Sequence, residues 1–208
     1  MSRMGRLALA IVLLTGAGMN LRGRPQDTAM HHPLLGMSLA EAKRTEFFTW
    51  FHLQQTGKET DAKNRPVVIF QPSGGAFHEL VSVRAGLDEH EHIVHFELLL
   101  ARSFIDDKKQ GVFANDIAKS FLLDAAPGAD QDALRGLADD ISSNQMSEQR
   151  VITRQPLPPP PQRPGPAYLT YLGQRQQDTE QLSNSTLHLE NLKRGDQEWL
   201  RMAFSLGK

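Results

Sequence analysis

Between residues 156 and 166, seven of eleven positions are proline, in the run PLPPPPQRPGP. Proline fixes its own φ, lacks an amide donor and drives the residue before it out of the helical region, so this stretch is an extended polyproline II rod that neither helix nor sheet can cross. Everything else folds either before it or after it. Residues 145–167 are expected to form a proline-rich connection, with residues 37–144 as the main domain and residues 168–208 as a C-terminal helix and hairpin docked on it. Such a rod is also preorganised for an aromatic groove on a partner. Pro158 and Pro161 have the PxxP spacing and Arg163 adds a charge contact, with a plain stiff spacer as the alternative.

The N-terminus sets the expected compartment. Arg3 and Arg6 precede the unbroken apolar run LALAIVLL, and the small residues TGAG follow it. That order is the pattern of an export signal, expected over residues 1–18, and the apolar run falls well short of the roughly 20 residues that cross a bilayer. The alternative is an uncleaved N-terminal anchor; after cleavage no stable membrane span is expected. Residues 19–36, polar with Gly, Pro and paired His, are expected to be an extended leader. The chain of 208 residues has no cysteine, so no disulfide staples it and no thiol can be acylated. Burial of apolar surface has to supply the stability, which suits a bacterial periplasm. A net charge of -1, with acids and bases intermixed, provides no basic field for a phosphate backbone and counts against nucleic acid as a partner.

Hydrophobic periodicity divides the main domain. Ser38 followed by Glu41 has the form of a capping box and starts a short helix. EFFTWFHLQ, residues 46–54, reads with period two as a strand with Phe47, Thr49, Phe51 and Leu53 on one face. Residues 56–65 are polar and read as a loop, residues 66–70 as a short strand opened by Pro66, and residues 79–85 as a third strand. Residues 91–105 fit two patterns. As a strand they place His95, Glu97 and Leu99 opposite Phe96, Leu98 and Leu100; as a helix capped by Asp88 they carry Ile93, Phe96, Leu100 and Phe104 in one stripe. The β-branched and aromatic content of IVHF favours the strand and a hairpin with the one before it.

Two helices follow. Phe113, Ile117 and Phe121 are four apart within residues 112–126, and Leu134, Leu137, Ala138 and Ile141 form a second stripe behind Asp130, ending at residues 142–144. Beyond the prolines, residues 168–182 read as a polar surface helix. Residues 186–192 and 198–204 read as two strands joined by a glycine turn at Gly195, added to the main sheet as its last strands. Trp50 and Trp199 read as core or partly buried aromatics. The expected fold is α+β: an antiparallel sheet of about five to six strands against two central helices, with the proline-rich connection leading to a C-terminal β-hairpin.

The chemistry-bearing residues concentrate in one place. His78, Asp88, His90, His92 and His95 lie within eighteen positions, and in a chain without thiols imidazole and carboxylate are the ligands left for zinc or copper. On a strand His90 and His92 share a face, so His78 or Asp88 has to complete the set. The competing reading is a solvated hairpin turn whose charges discourage edge pairing. Ser73 lacks a nucleophile elbow, and His78-Glu79 does not continue into a zinc-protease motif because Ser82 stands where the second histidine belongs. The expected function is that of an exported envelope or periplasmic protein acting by binding, in an accessory or assembly role with another envelope protein as possible partner. A zinc- or copper-binding protein using residues 78–95 is the alternative, and an enzyme of unknown reaction comes third.

Overall fold

The computed structural model describes residues 33–74, 77–126, 128–153 and 165–207. The export signal, nearly all of the leader, and Pro158, Pro161 and Arg163 lie outside the described residues. Within them the fold is α+β, built on one antiparallel sheet of seven strands in the order β1-β2-β3-β4-β7-β6-β5. In chain order the elements are α1 (Leu39–Ala42), α2 (Glu46–Trp50), β1 (Leu53–Thr60), β2 (Pro66–Pro72), β3 (Val81–Leu87) and β4 (Ile93–Ala101), then α3 (Arg102–Ile105), α4 (Gly111–Ala125), α5 (Gly128–Thr153), α6 (Pro166–Tyr171), β5 (Gln177–Gln181), β6 (Ser185–Arg194) and β7 (Gln197–Leu206). Among the described residues no helix is long and apolar enough to cross a membrane.

The first four strands form a meander, and β7 then adds alongside β4, with His95 opposite Ser205 and Leu100 opposite Leu200. The segment 91–105 is thus a strand as far as Ala101, followed by a single helical turn. The C-terminal hairpin joins the sheet where the pattern placed it. Its β6–β7 connection closes with Arg194 opposite Gln197, and Gly195 takes φ +61° there, a left-handed conformation that glycine adopts without steric cost.

Strand alternation sorts side chains onto two faces. Phe70, Val83, Phe96, Leu98, Leu200, Met202 and Phe204 are buried on the first. There the Phe96 ring stacks on Phe121 of α4 at 5.4 Å and meets Phe47 of α2 edge-on at 5.8 Å, while Phe121 also lies 5.6 Å from Phe204. Helix α5 buries Leu134, Ala138 and Ile141 in the same core. Its Asp130, expected to cap its own helix, instead reaches the turn before β6. The carboxylate accepts from the Ser183 amide at 2.7 Å, the Asn184 amide at 3.2 Å and the Ser185 hydroxyl at 2.7 Å. The capping box is present at α1, where Ser38 and Glu41 satisfy each other's backbone amides.

Several local expectations are corrected. Residues 46–50 are helical rather than extended, because the adjacent Phe47 and Phe48 rings both pack against Phe96 on one side. A strand would send neighbouring side chains to opposite faces, whereas a short helix turns both rings inward and leaves Trp50 77% exposed. The strand comes later, over residues expected to be a polar loop. As an edge strand, β1 needs no apolar alternation and is mostly exposed. Helix α5 continues to Thr153 instead of stopping near residue 144, and residues 168–182 divide into the end of α6 and edge strand β5. Those two polar edge strands are why the sheet has seven strands rather than five or six. Leu34 and Leu35, late in the expected leader, are buried, and their amides bond to Asp124 and Ala125 at the end of α4.

Candidate functional site: the polar face of the sheet

The face opposite Phe96 carries two copies of one arrangement. On β4, His95 and Glu97 are two residues apart and so share a face; on β6, His188 and Glu190 repeat the pattern. Each histidine lies opposite a hydroxyl residue on the next strand, Ser205 on β7 and Thr179 on β5. His95 Nδ1 is 2.8 Å from Ser205 Oγ and its Nε2 is 3.7 Å from Glu97 Oε2. His188 Nδ1 is 2.8 Å from Thr179 Oγ1 and its Nε2 is 3.8 Å from Glu190 Oε2. Gly86, opposite His95, makes room for this ring: a Cβ there would sit 3.1 Å from the His95 Cβ.

Arg201 on β7 joins the two triplets, with Nε 2.7 Å from Glu97 Oε2 and Nη1 3.5 Å from Glu190 Oε2. From the other side Arg84 on β3 lies 3.2 Å from Glu97 Oε1 and also pairs with Glu59 on the edge strand β1. Glu97 is the buried centre of this network, its side chain 5% exposed. Burial by itself pushes the Glu97 carboxyl up, but the neighbouring His95 imidazole and the guanidinium groups of Arg201 and Arg84 outweigh it and hold the carboxyl down to about 2. It is therefore a permanent anion at any physiological pH.

A hydroxyl, an imidazole and a carboxylate in sequence invite comparison with an acyl-transfer triad. Two features of the geometry argue against that chemistry. The Glu97 carboxylate is committed to two arginines and stands outside hydrogen-bond distance of the imidazole. Ser205 lies within β7 between β4 and β6, so neighbouring peptide groups are spent on the ladder rather than free to stabilise an oxyanion. What the arrangement supplies is a fixed pattern of charge and hydrogen-bonding groups. Ile69, Leu192 and Trp199 are part-exposed apolar positions of the same face, and Val67, Leu99 and Ala203 are buried on it.

The histidines anticipated from the sequence lie elsewhere. Asp88, His90 and His92 form the β3–β4 turn, where Asp88 Oδ1 accepts from the His90 amide at 2.9 Å and the His92 amide at 2.8 Å. The His92 amide bond, with that from His90, holds the Asp88 carboxyl below its ordinary range. The His90 and His92 rings are 6.3 Å apart and largely solvent-facing. His78 is exposed in the β2–β3 turn, at the other end of the seven-residue strand β3, which places it roughly 20 Å away. The structure thus brings Asp88, His90 and His92 together and separates His78 from them. Among the described residues no three His, Asp or Glu side chains form a metal-ligand group.

A polar cleft of about 440 Å³ opens where α3, the α6–β5 connection and the β6–β7 end meet, lined by Arg102, Asp106, Gly173, Gln176, Asn191 and Lys193 among others. Its part-buried cation is already engaged: Arg102 donates to the Tyr171 carbonyl at 2.6 Å and to Asp106 at 2.9 Å. The cleft wall is in this respect a structural clasp between α3 and α6.

The sequence does contain the signal for the polar face: H-x-E at residues 95–97 and again at 188–190, which in strands puts each pair on one face. Arg84, Arg201, Ser205 and Thr179 carry no local motif and become neighbours only through strand register. Comparison of the chain with protein-family models, with curated proteins and with solved structures finds no match in any of the three.

Proposed function

We propose that this chain acts by binding, as an exported envelope or periplasmic protein with an accessory or assembly role, and that the Glu97 face of the sheet is its contact surface. The supporting observation is the one-sidedness of the fold. Phe96, Phe121 and Phe204 seal one face beneath α2 and α4, while the other presents arginines, imidazoles and the part-exposed Trp199. Tryptophan and arginine are the residue types that most often carry binding energy at protein interfaces. Export rests on Arg3, Arg6 and the apolar run that follows them.

The test uses photoreactive residues placed at Ile69 or Leu192 in cells that export the chain, with Lys119 on α4 as the control position. Discrete adducts from the sheet positions and none from Lys119 are expected. No adducts, or equal labelling from all three positions, overturns the contact surface, and an unprocessed chain retained in the cytoplasm overturns export.

The second reading is zinc or copper binding by the β3–β4 turn, favoured by the proximity of the His90 and His92 rings. Two imidazoles beside Asp88 supply an incomplete tetrahedral set, so affinity should be modest unless a second molecule contributes. Metal analysis of the loaded protein, with His90→Ala and His92→Ala for comparison, decides it: less than about a tenth of an equivalent ends this reading.

A further inference from the structure

The cleft between α3, the α6–β5 connection and the turn end of the β6–β7 hairpin holds unspent charge and hydrogen-bonding capacity. Its least exposed charge is Arg102, whose side chain is 11% exposed. A guanidinium carries five N–H donors. Arg102 spends one on the Tyr171 carbonyl and one on Asp106, which leaves three without a partner among the described residues. Gly173 keeps side-chain atoms away from this guanidinium, since a Cβ there would lie 3.0 Å from Arg102 Nη2. On the exposed side of the cleft, Lys193 of β6 and Glu198 of β7 stand opposite each other in the ladder. Among the described residues neither of those side chains makes an ion pair or hydrogen bond. The wall beside them is fixed: Asn191 Nδ2 donates to the carbonyls of Thr170 at 2.7 Å and Arg175 at 2.8 Å, and the Asn191 amide to that of Gln176 at 2.8 Å. Little ordering of this wall is therefore left for a ligand to impose.

We propose that this cleft binds a small zwitterion of the amino-acid or dipeptide class. The site meets the Glu97 face only at Leu192 and does not depend on that face being a contact surface. Charge selects the ligand class. Arg102 and Lys193 are balanced by Asp106 and Glu198, two cations against two anions, so phosphate or another multiply charged anion gains no net attraction. A neutral sugar would cover Lys193 and Glu198 without giving either a counter-charge, at a cost in desolvation. An α-amino acid brings one charge of each sign. Its carboxylate accepts from the spare N–H donors of Arg102, with Lys193 adding attraction, and its ammonium donates to Glu198. Leu172 and Leu192, both part-exposed in the lining, meet an apolar side chain. The volume of about 440 Å³ falls within the roughly 300–1,000 Å³ of small-molecule sites.

Isothermal titration calorimetry of the full-length chain with the standard amino acids, diglycine and dileucine tests the proposal. At least one of these zwitterions is expected to bind with a Kd below about 5 mM. The N-acetyl and amide forms of the best binder each lack one charge and should bind about tenfold more weakly or worse. Lys193→Gln and Glu198→Gln alter exposed side chains that have no partner to lose, so both variants should unfold as the parent does. Each should raise the Kd about fivefold or more. Arg102→Gln is the less useful variant, because it also breaks the clasp on Tyr171. No zwitterion of the panel binding below about 5 mM, a blocked form binding as well as the free one, or a Kd unchanged in either glutamine variant each overturns the site. Glucose or inorganic phosphate binding more tightly than every zwitterion overturns the ligand class.

Discussion

The two faces of the sheet stabilise the same strands by opposite means. On the first, Phe96 is fully buried and touches other aromatic rings, so its contribution is apolar area and packing, indifferent to pH and salt. On the second, one residue further along β4, Glu97 is nearly as buried, yet its contribution is electrostatic and depends on partners from β3 and β7. Burial alone does not say what holds a position. The same exposure means a cavity if Phe96 is cut back and unpaired charge if a partner of Glu97 is removed.

The comparison yields a graded set of expectations. Phe96→Ala should cost the most, about 3–5 kcal/mol in denaturant unfolding, with no change in the pH dependence of stability. Glu97→Gln should cost about 3 kcal/mol at pH 7, the free energy that corresponds to a carboxyl lowered from 4.5 to about 2. Because the folded value is the lower one, this stabilisation is fully present above pH 4.5 and disappears as the pH falls from there through 2. The variant should therefore lose that slope while retaining the acid response of the remaining carboxylates. If the parent and Glu97→Gln lose stability in parallel between pH 5 and 2, the electrostatic account of the second face is wrong.

Smaller effects sharpen the contrast. Glu59→Gln removes an outer carboxylate of the salt-bridge network, whose side chain is 40% exposed, and should cost less than about 1 kcal/mol, most of it abolished by salt. Equal costs for Glu59→Gln and Glu97→Gln would show that burial does not set the strength within the network. Trp50→Ser, at a residue 77% exposed, should leave the unfolding midpoint within about 0.5 kcal/mol of the parent.

The first face was largely legible in the sequence and the second was not, for a physical reason. Apolar alternation in residues 93–101 and 198–204, and the four-residue spacing of Ile117 and Phe121, are local signals that follow from burial. A salt-bridge network has no such period. Arg84, Glu97 and Arg201 meet because three strands are in register across more than a hundred positions, and no window of sequence contains that relation. Adjacent Phe47 and Phe48 misled the reading of residues 46–54, since aromatic richness favours strands on average, whereas two neighbouring rings that pack on the same side, both against Phe96, fit a helical turn. The histidine-rich turn drew the eye by composition. Its order comes from Asp88 and from the backbone of Met37 and Leu39, which bonds to Ile93 and Glu91.

The pairing of β4 with β7 sets a schedule for folding as well as a shape. His95 and Ser205, neighbours across the central seam, are 110 positions apart in the chain, so more than a hundred further residues are synthesised before β4 meets its second neighbour. Until then the meander β1–β4 exposes the unpaired edge of its most apolar strand. Closing so long a loop makes late assembly slow, and the interval is when a holding chaperone would find this polypeptide still open.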